Sequence, residues 1–334
     1  MSTQRISLGH GSGGRLTRDL IAEILKPRFE NPLLSPLADA ALCPPMPNGV
    51  AFTTDSFVVS PRFFPGGDIG KLAVAGTVND LAVVGATPRF LSLALVIEEG
   101  LAFRELEQIA DSIAATAAQA RVVIATGDTK VVEKGKGDGL FINTSGIGDL
   151  RRGFADTAPV PGDCVLVSGP VGDHGAIIMS LRSGIDLQSA LESDCAIVSP
   201  LADALFDAGV KVRCMRDPTR GGLAAVLNEF AASWNLGIVA SQAAIPIREQ
   251  VRGVGELLGI DPLQLACEGR IVAVVPAASE SLALEALRKT RGGSLAASIG
   301  RIVASHPRQV VLETGVGGRR ILDMPEADPL PRIC

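Results

Sequence analysis

The chain has 334 residues, of which 47% are hydrophobic, enough for two domains with real cores. Its 31 Lys and Arg against 36 Asp and Glu leave a net charge of −5, which gives no electrostatic footprint for nucleic acid or an anionic membrane. Mean hydropathy is +0.32, but charge and glycine interrupt every apolar run before the roughly 20 residues of a membrane span. Residues 1–7 lack the apolar core of a secretory signal, so a cytoplasmic protein that works on small molecules or with proteins is expected.

The first segment, 1–35, contains Gly9-His10-Gly11-Ser12-Gly13-Gly14-Arg15. It is too glycine-rich for regular structure, and such loops let backbone N–H groups approach phosphate closely. It matches neither the Walker pattern nor the Rossmann fingerprint, and a plain flexible terminus is the alternative. From 50 to 150 the pattern alternates: strand over 50–60, helix over 68–85, strand over 89–97, amphipathic helix over 103–120, strand over 121–126. Residues 158–163 read as a linker. A second series opens with a strand over 164–168, with helices over 175–182, 200–208 and 222–233 and strands near 271–275 and 309–313. This gives two α/β domains, 36–155 and 156–313, and a tail, 314–334.

Five places along the chain put polar groups in or beside apolar elements. In the helix over 68–85, Asp80 shares a stripe with Ile69, Leu72, Ala73, Gly76 and Val83, beside Asn79. Asp55 sits in an apolar strand. Each carboxylate needs a cation or a set of donors opposite, although pairing with arginine or capping of backbone groups would also serve. Thr126-Gly127-Asp128-Thr129-Lys130 is expected as a polar turn after a strand, where open α/β sheets place ligands. Asp217, with Arg216, Arg220 and paired glycines ahead of a helix, suits a phosphate or metal contact. Glu268, at the end of an apolar run, suits a general base with a raised pKa.

The six cysteines show no C-x-x-C pair and only three histidines accompany them, so reduced thiols are expected rather than a zinc site. Five sit among apolar neighbours as small hydrophobes. Cys334 is the exception. It ends a segment with three prolines, an extended arm able to carry the sulfur on the order of 30 Å from the folded body.

The blocks GHGSGG at Gly9, TTDSFVVSP at Thr53, FFPGGDIGKLAVAGTVNDLAVVGATP at Phe63, TGDTKVV at Thr126, GDHG at Gly172, MRDPTRGGLA at Met215, CEGR at Cys267 and the terminal PRIC together resemble the HypE family. These are nickel-iron hydrogenase maturation proteins, within the superfamily of aminoimidazole ribonucleotide synthetase (PurM) and selenophosphate synthetase. The resemblance covers nearly the whole chain, and the related synthetases lack the PRIC tail. It implies a PurM-like two-domain fold: an N-terminal domain that forms a β-barrel across a homodimer, an α/β C-terminal domain, and ATP bound between them.

By resemblance, Asp39, Asp55, Asp80 and Asp217 match metal-binding acids for Mg2+. Gly11, Gly13, Gly14, Lys71, Asn79, Asp128 and Thr129 fall in nucleotide-binding blocks, and Lys130 and Glu268 are candidates for proton handling. The implied activity is ATP-dependent dehydration of a carbamoyl group, placed on Cys334 by the carbamoyltransferase HypF. The thiocyanate formed would supply cyanide to iron on a HypC–HypD scaffold. Activation of a free small molecule, or a nucleotide-regulated adaptor whose tail docks to a partner, are the alternatives.

Overall fold

In the computed structural model the described residues are 5–12, 14–37, 40–151, 154, 156–185, 191–324 and 332–334. Of the glycine-rich segment expected to be irregular, the part up to Gly11 is regular, whereas Ser12 and Gly14 are bends. A 3-10 turn (Leu8–Gly11) leads to helix α1 (Arg15–Leu20), a π turn (Ile21–Leu25) and helix α2 (Lys26–Phe29). Leu20, Ile24 and Phe29 are buried at near-helical spacing and anchor this segment. Gly11 serves close packing: a Cβ there would lie 2.3 Å from the Val131 backbone nitrogen.

The first domain contains β1 (Val50–Phe57), a short hairpin of β2 (Phe63–Phe64) and β3 (Gly67–Asp68), α3 (Ile69–Val83), β4 (Ala86–Glu98), α4 (Phe103–Ala120), β5 (Val123–Val132) and β6 (Leu140–Leu150). Its sheet has the order β1-β6-β4-β5, with β4–β5 parallel and the other pairs antiparallel. Alternate residues of β4, Leu91 to Ile97, bury against Ile69 and Leu72 of α3 and Ile109 and Ile113 of α4. Exposed Phe52 marks the outer strand β1. The turn expected over 126–130 is instead strand. After a bulge between Leu91 and Ser92, β4 continues to pair with β5 as far as Val132, so the polar residues lie within the ladder.

The second domain contains β7 (Cys164–Val167), α5 (Asp173–Ser183), α6 (Ser199–Asp207), β8 (Cys214–Arg216), α7 (Gly222–Trp234), β9 (Gly237–Ser241), α8 (Glu249–Leu258), β10 (Val272–Val275), α9 (Glu280–Lys289), β11 (Ala297–Val303), β12 (Val310–Glu313) and β13 (Arg319–Ile321). They build a sheet of order β13-β12-β9-β11-β7-β10-β8, antiparallel except for β12–β9. Every residue of β7 and β10 is buried because helices cover both faces, which explains their unbroken apolar runs. Residues 319–321 pair with β12 and Leu322 is buried, so the sheet extends past residue 313, into the segment expected to be tail.

Helix α3 is apolar all round because it lies between the first sheet and the second domain, with Ala82 and Val83 in the core built by β7, α6 and α9. Among the described residues no helix is long and apolar enough to cross a membrane. All six cysteines are free. Cys164, Cys195, Cys214 and Cys267 are buried as expected, whereas Cys43 is exposed.

Candidate functional site at the domain junction

The acids singled out in sequence come from three elements. Asp55 lies on β1, Asp80 on α3, and Asp217 follows β8. The Thr53 hydroxyl donates to Asp80 Oδ2 at 2.7 Å, and the Thr77 hydroxyl reaches Asp55 Oδ2 at 3.5 Å. Burial, then the nearby Asp55 charge, raises the Asp80 pKa to about 6. Burial, then Asp80, raises Asp217 to about 7. Glu268 is 2% exposed. Its pKa is pushed well above the carboxylate range by burial and then by Asp217, Asp194, Asp55 and Asp80.

These mutual shifts mean that the four acids share one electrostatic neighbourhood in which negative charge is under-compensated. Glu268 Oε1 is buried without a hydrogen-bond partner. Such a set fits a cation. Among the described residues, however, no three His, Cys, Asp or Glu side chains converge to hold one unaided. Mg2+ takes one or two carboxylates and completes its shell with water and phosphate oxygens.

Glu268 is held by its backbone. Its N–H donates to Asp194 Oδ1 at 3.1 Å, and its carbonyl accepts from the Asn79 amide at 3.3 Å and from the Ala196 N–H at 3.2 Å. Gly269 permits this approach, since a Cβ there would lie 1.9 Å from the Asp194 carbonyl oxygen. Asn79, placed by sequence in a nucleotide-binding block, commits its amide to protein partners. It also donates to Ala196 O at 3.0 Å and accepts from Val198 N–H at 2.8 Å, tying α3 to the loop over 191–198. Lys71 donates to Gly66 O at 2.6 Å, beside Asp68, whose carboxylate caps α3 through Gly70 and Lys71 N–H.

Asp128, Thr129 and Lys130 form a separate group. With Gly11, Thr17 and Lys26 they line a cavity of about 220 Å³ between the amino-terminal helices and β5, and Lys130 Nζ lies 3.2 Å from Asp128 Oδ1. The ladders align Asp128 with Ala94, Asn143 and Ser56 in turn. Asp128 is therefore at the opposite edge of the sheet from Asp55, about 14 Å away at the usual strand spacing. One chain thus brings Asp55, Asp80, Asp217 and Glu268 together and leaves Lys130 apart. Gly14 is the exposed N-cap of α1. Gly13 and Asp39 lie outside the described residues.

Asp194 escaped the sequence reading. It follows Glu192 and Ser193 in a stretch without periodicity, and only the fold brings its carboxylate to the Glu268 backbone.

The carboxyl terminus arrives at this junction. The Val58 N–H donates to Cys334 O at 3.0 Å and the Ser60 N–H to Arg332 O at 3.4 Å, so the last three residues lie along 58–60 like a short added strand. Ile333 is 1% exposed and packs into the first core. Arg332 donates to Val58 O at 3.1 Å and pairs with Asp138, while Arg182 donates to Ser60 O at 2.6 Å and to Arg332 O. The extended arm expected in sequence includes Pro325–Pro331, which lie outside the described residues; its tip is docked. Val58 follows Asp55 by three residues, roughly 10 Å along the chain.

Residues 37–150 match the family model described as AIR synthase related protein, N-terminal domain, and 160–313 match its C-terminal domain. The chain is 47% identical over 336 residues to the carbamoyl dehydratase HypE of Rhodobacter capsulatus, covering 99% of this chain and 98% of that protein. A crystal structure of the hydrogenase maturation protein HypE in complex with ATP superposes with a TM-score of 0.94 at 43% identity, covering 98% of this chain and 99% of the other. HypE in a HypE–HypF complex gives 0.80 at 44%, over 92% and 99%. The chain belongs to the AIR synthase related family and, within it, to the HypE hydrogenase maturation proteins.

Proposed function

We propose that this chain is an ATP-dependent carbamoyl dehydratase that acts on a carbamoyl group carried by its own Cys334. The observation that carries this reading is the docked terminus: the residue that bears the thiol is hydrogen-bonded to 58–60, directly beyond the strand of Asp55. The balance is S–C(=O)–NH2 plus ATP giving S–C≡N, ADP and phosphate, with the carbamoyl oxygen leaving in the phosphate and both amide protons lost.

The nucleotide supplies the phosphoryl group that makes this oxygen a leaving group. Asp55, Asp80 and Asp217 would offer carboxylates to Mg2+, with water and phosphate oxygens completing its shell, and the raised pKa values of Asp80 and Asp217 reflect the charge such a cation offsets. Gly11, Asp128, Thr129 and Lys71 would face phosphates and nucleotide. Glu268, buried and under-hydrogen-bonded, is suited to accept an amide proton, and Lys130 is the second candidate. HypF, which forms a complex with HypE in a related structure, is the carbamoyl donor, and a HypC–HypD iron scaffold is the recipient of cyanide.

Loading the full chain with a carbamoyl group and adding Mg·ATP should release about one phosphate per loaded Cys334. Phosphate release that ignores carbamoylation would contradict the reading.

The separation of Lys130 from the acid group favours a homodimer. β1 and β5 are the outer strands of an open sheet, and exposed Val50 and Phe52 lie on β1. Closing the sheet against a second copy covers these residues and brings one subunit's β5 group toward its partner's acids. Sedimentation at micromolar concentration should show twice the 34.5 kDa chain mass; a species of chain mass alone would overturn the dimer.

A further inference from the structure

Among the contacts of the docked terminus, one is fully buried. His174, in the first turn of α5, is 0% exposed, and its Nε2 lies 2.8 Å from Ile333 O. A carbonyl can only accept, so Nε2 carries the proton. In the neutral ring, which burial favours, Nδ1, 2.8 Å from Ser193 Oγ, then accepts from the hydroxyl. Ser193 Oγ in turn accepts the Cys195 N–H at 3.1 Å. Phe64 closes the site edge-on, with ring centroids 5.3 Å apart. With the ring neutral, each donor and acceptor in this chain has one direction, and the imidazole is a donor aimed at the penultimate carbonyl. Burial, which lowers the His174 pKa, acts in the same sense.

We propose that His174 is a positioning residue for the terminal cysteine: through the Ile333 carbonyl it fixes the register in which Cys334 is presented. The remaining polar contacts of the tip differ in kind. Those of Arg182 and Arg332 are exposed and screened by salt. The backbone bonds to Val58 and Ser60 are generic to an added strand, which can slip by two residues without losing them. Ile333 selects a pocket but not an orientation of its carbonyl. His174 is the buried contact that ties a tip carbonyl to one point of the second domain, where the bond from Arg182 to Arg332 O is exposed. It does so through Ser193, in the loop whose Asp194 and Ala196 hold the Glu268 backbone. Docking of the tip and placement of Glu268 thus share one short segment.

A role in presenting the carbamoylated thiol rests on the dehydratase reading, whereas the docking contact does not, and the first measurement reads docking alone. The unmodified full chain, without nucleotide, is treated with iodoacetamide and each cysteine followed by peptide mass spectrometry. His174→Phe keeps the ring and loses the donor; His174→Gln places an amide N–H near the position of Nε2. Cys334 should be alkylated about fivefold faster in His174→Phe than in the wild type, relative to exposed Cys43, as expected for loss of one ordinary hydrogen bond. Buried Cys195 and Cys267 should stay protected, and His174→Gln should restore the wild-type rate.

Ser193→Ala, which leaves the ring but removes the donor that sets its tautomer, should show a smaller increase. An unchanged Cys334 rate in both His174→Phe and Ser193→Ala overturns the proposal. So does an increase shared by Cys195 and Cys267 that glutamine does not restore. After carbamoylation, His174→Phe should slow dehydration by a similar factor at unchanged ATP affinity. Faster alkylation with an unaltered dehydration rate would remove the reaction role and leave only the docking contact.

Discussion

Cys334→Ala should abolish carbamoyl acceptance and all ATP turnover that depends on it, while ATP affinity stays within about twofold of wild type. Removal of the sulfur takes away the only atom to which this account attaches the substrate. The acids and the β5 group come from residues 55–268, far upstream of Cys334 in the chain. The fold should also be retained, because the backbone bond from Val58 and the burial of Ile333 do not need the thiol. Nucleotide titration calorimetry and a phosphate-release assay on the loaded protein separate the two effects. Wild-type turnover by Cys334→Ala under carbamoylating conditions would leave a free small molecule as the substrate.

The second large effect is expected at Glu268. Glu268→Gln should still bind Mg·ATP and slow dehydration by about 10²-fold or more, the usual contribution of a positioned proton acceptor. The sign of the pH dependence follows from the shift. Burial and the surrounding acids raise the Glu268 pKa, so the side chain keeps its proton to higher pH than an ordinary carboxylate and becomes a base as pH rises through that raised value. The wild-type rate should therefore climb with pH, whereas the glutamine variant, having no proton to lose there, should lack this limb. A bound cation beside Asp55, Asp80 and Asp217 offsets the charge that raises the pKa and moves the limb to lower pH. Lys130→Ala supplies the comparison: a larger loss there, with the limb retained in Glu268→Gln, would transfer the proton-accepting role to Lys130.

The two-domain outline, most strands and helices, and the conspicuous acids were legible in the sequence because each rests on a local signal. α4 shows a clear amphipathic period, β7 is an unbroken apolar run, and Asp80 interrupts a helix that is otherwise apolar. What was not legible depends on distant pairing. Residues 126–130 contain glycine and four polar side chains and read as a turn. They extend as strand because Ser92–Glu98 of the neighbouring strand provides partners past a bulge. The amino-terminal glycines read as irregular, yet Gly11 packs where only glycine fits, against a strand 120 residues away. Residues 319–321 carry no strand signal apart from Ile321 and are recruited by pairing with β12.

At the candidate site, Asp55, Asp80, Asp217 and Glu268 are conspicuous in sequence, but their separation from Lys130 is not. That separation follows from the strand order β1-β6-β4-β5. The tip of the tail shows the same limit: three prolines indicate an extended arm, whereas only the fold reveals a buried seat for Ile333 and a histidine facing its carbonyl.

The most direct test of the central claim is the mass of the C-terminal peptide, measured on full-length protein loaded with a carbamoyl group and then incubated with or without Mg·ATP. Conversion of S–C(=O)–NH2 to S–C≡N should lower the mass of the peptide ending in Cys334 by about 18 Da, only with ATP, because loss of the oxygen requires its phosphoryl activation. A peptide that keeps its full carbamoyl mass while the same sample consumes ATP would contradict the account.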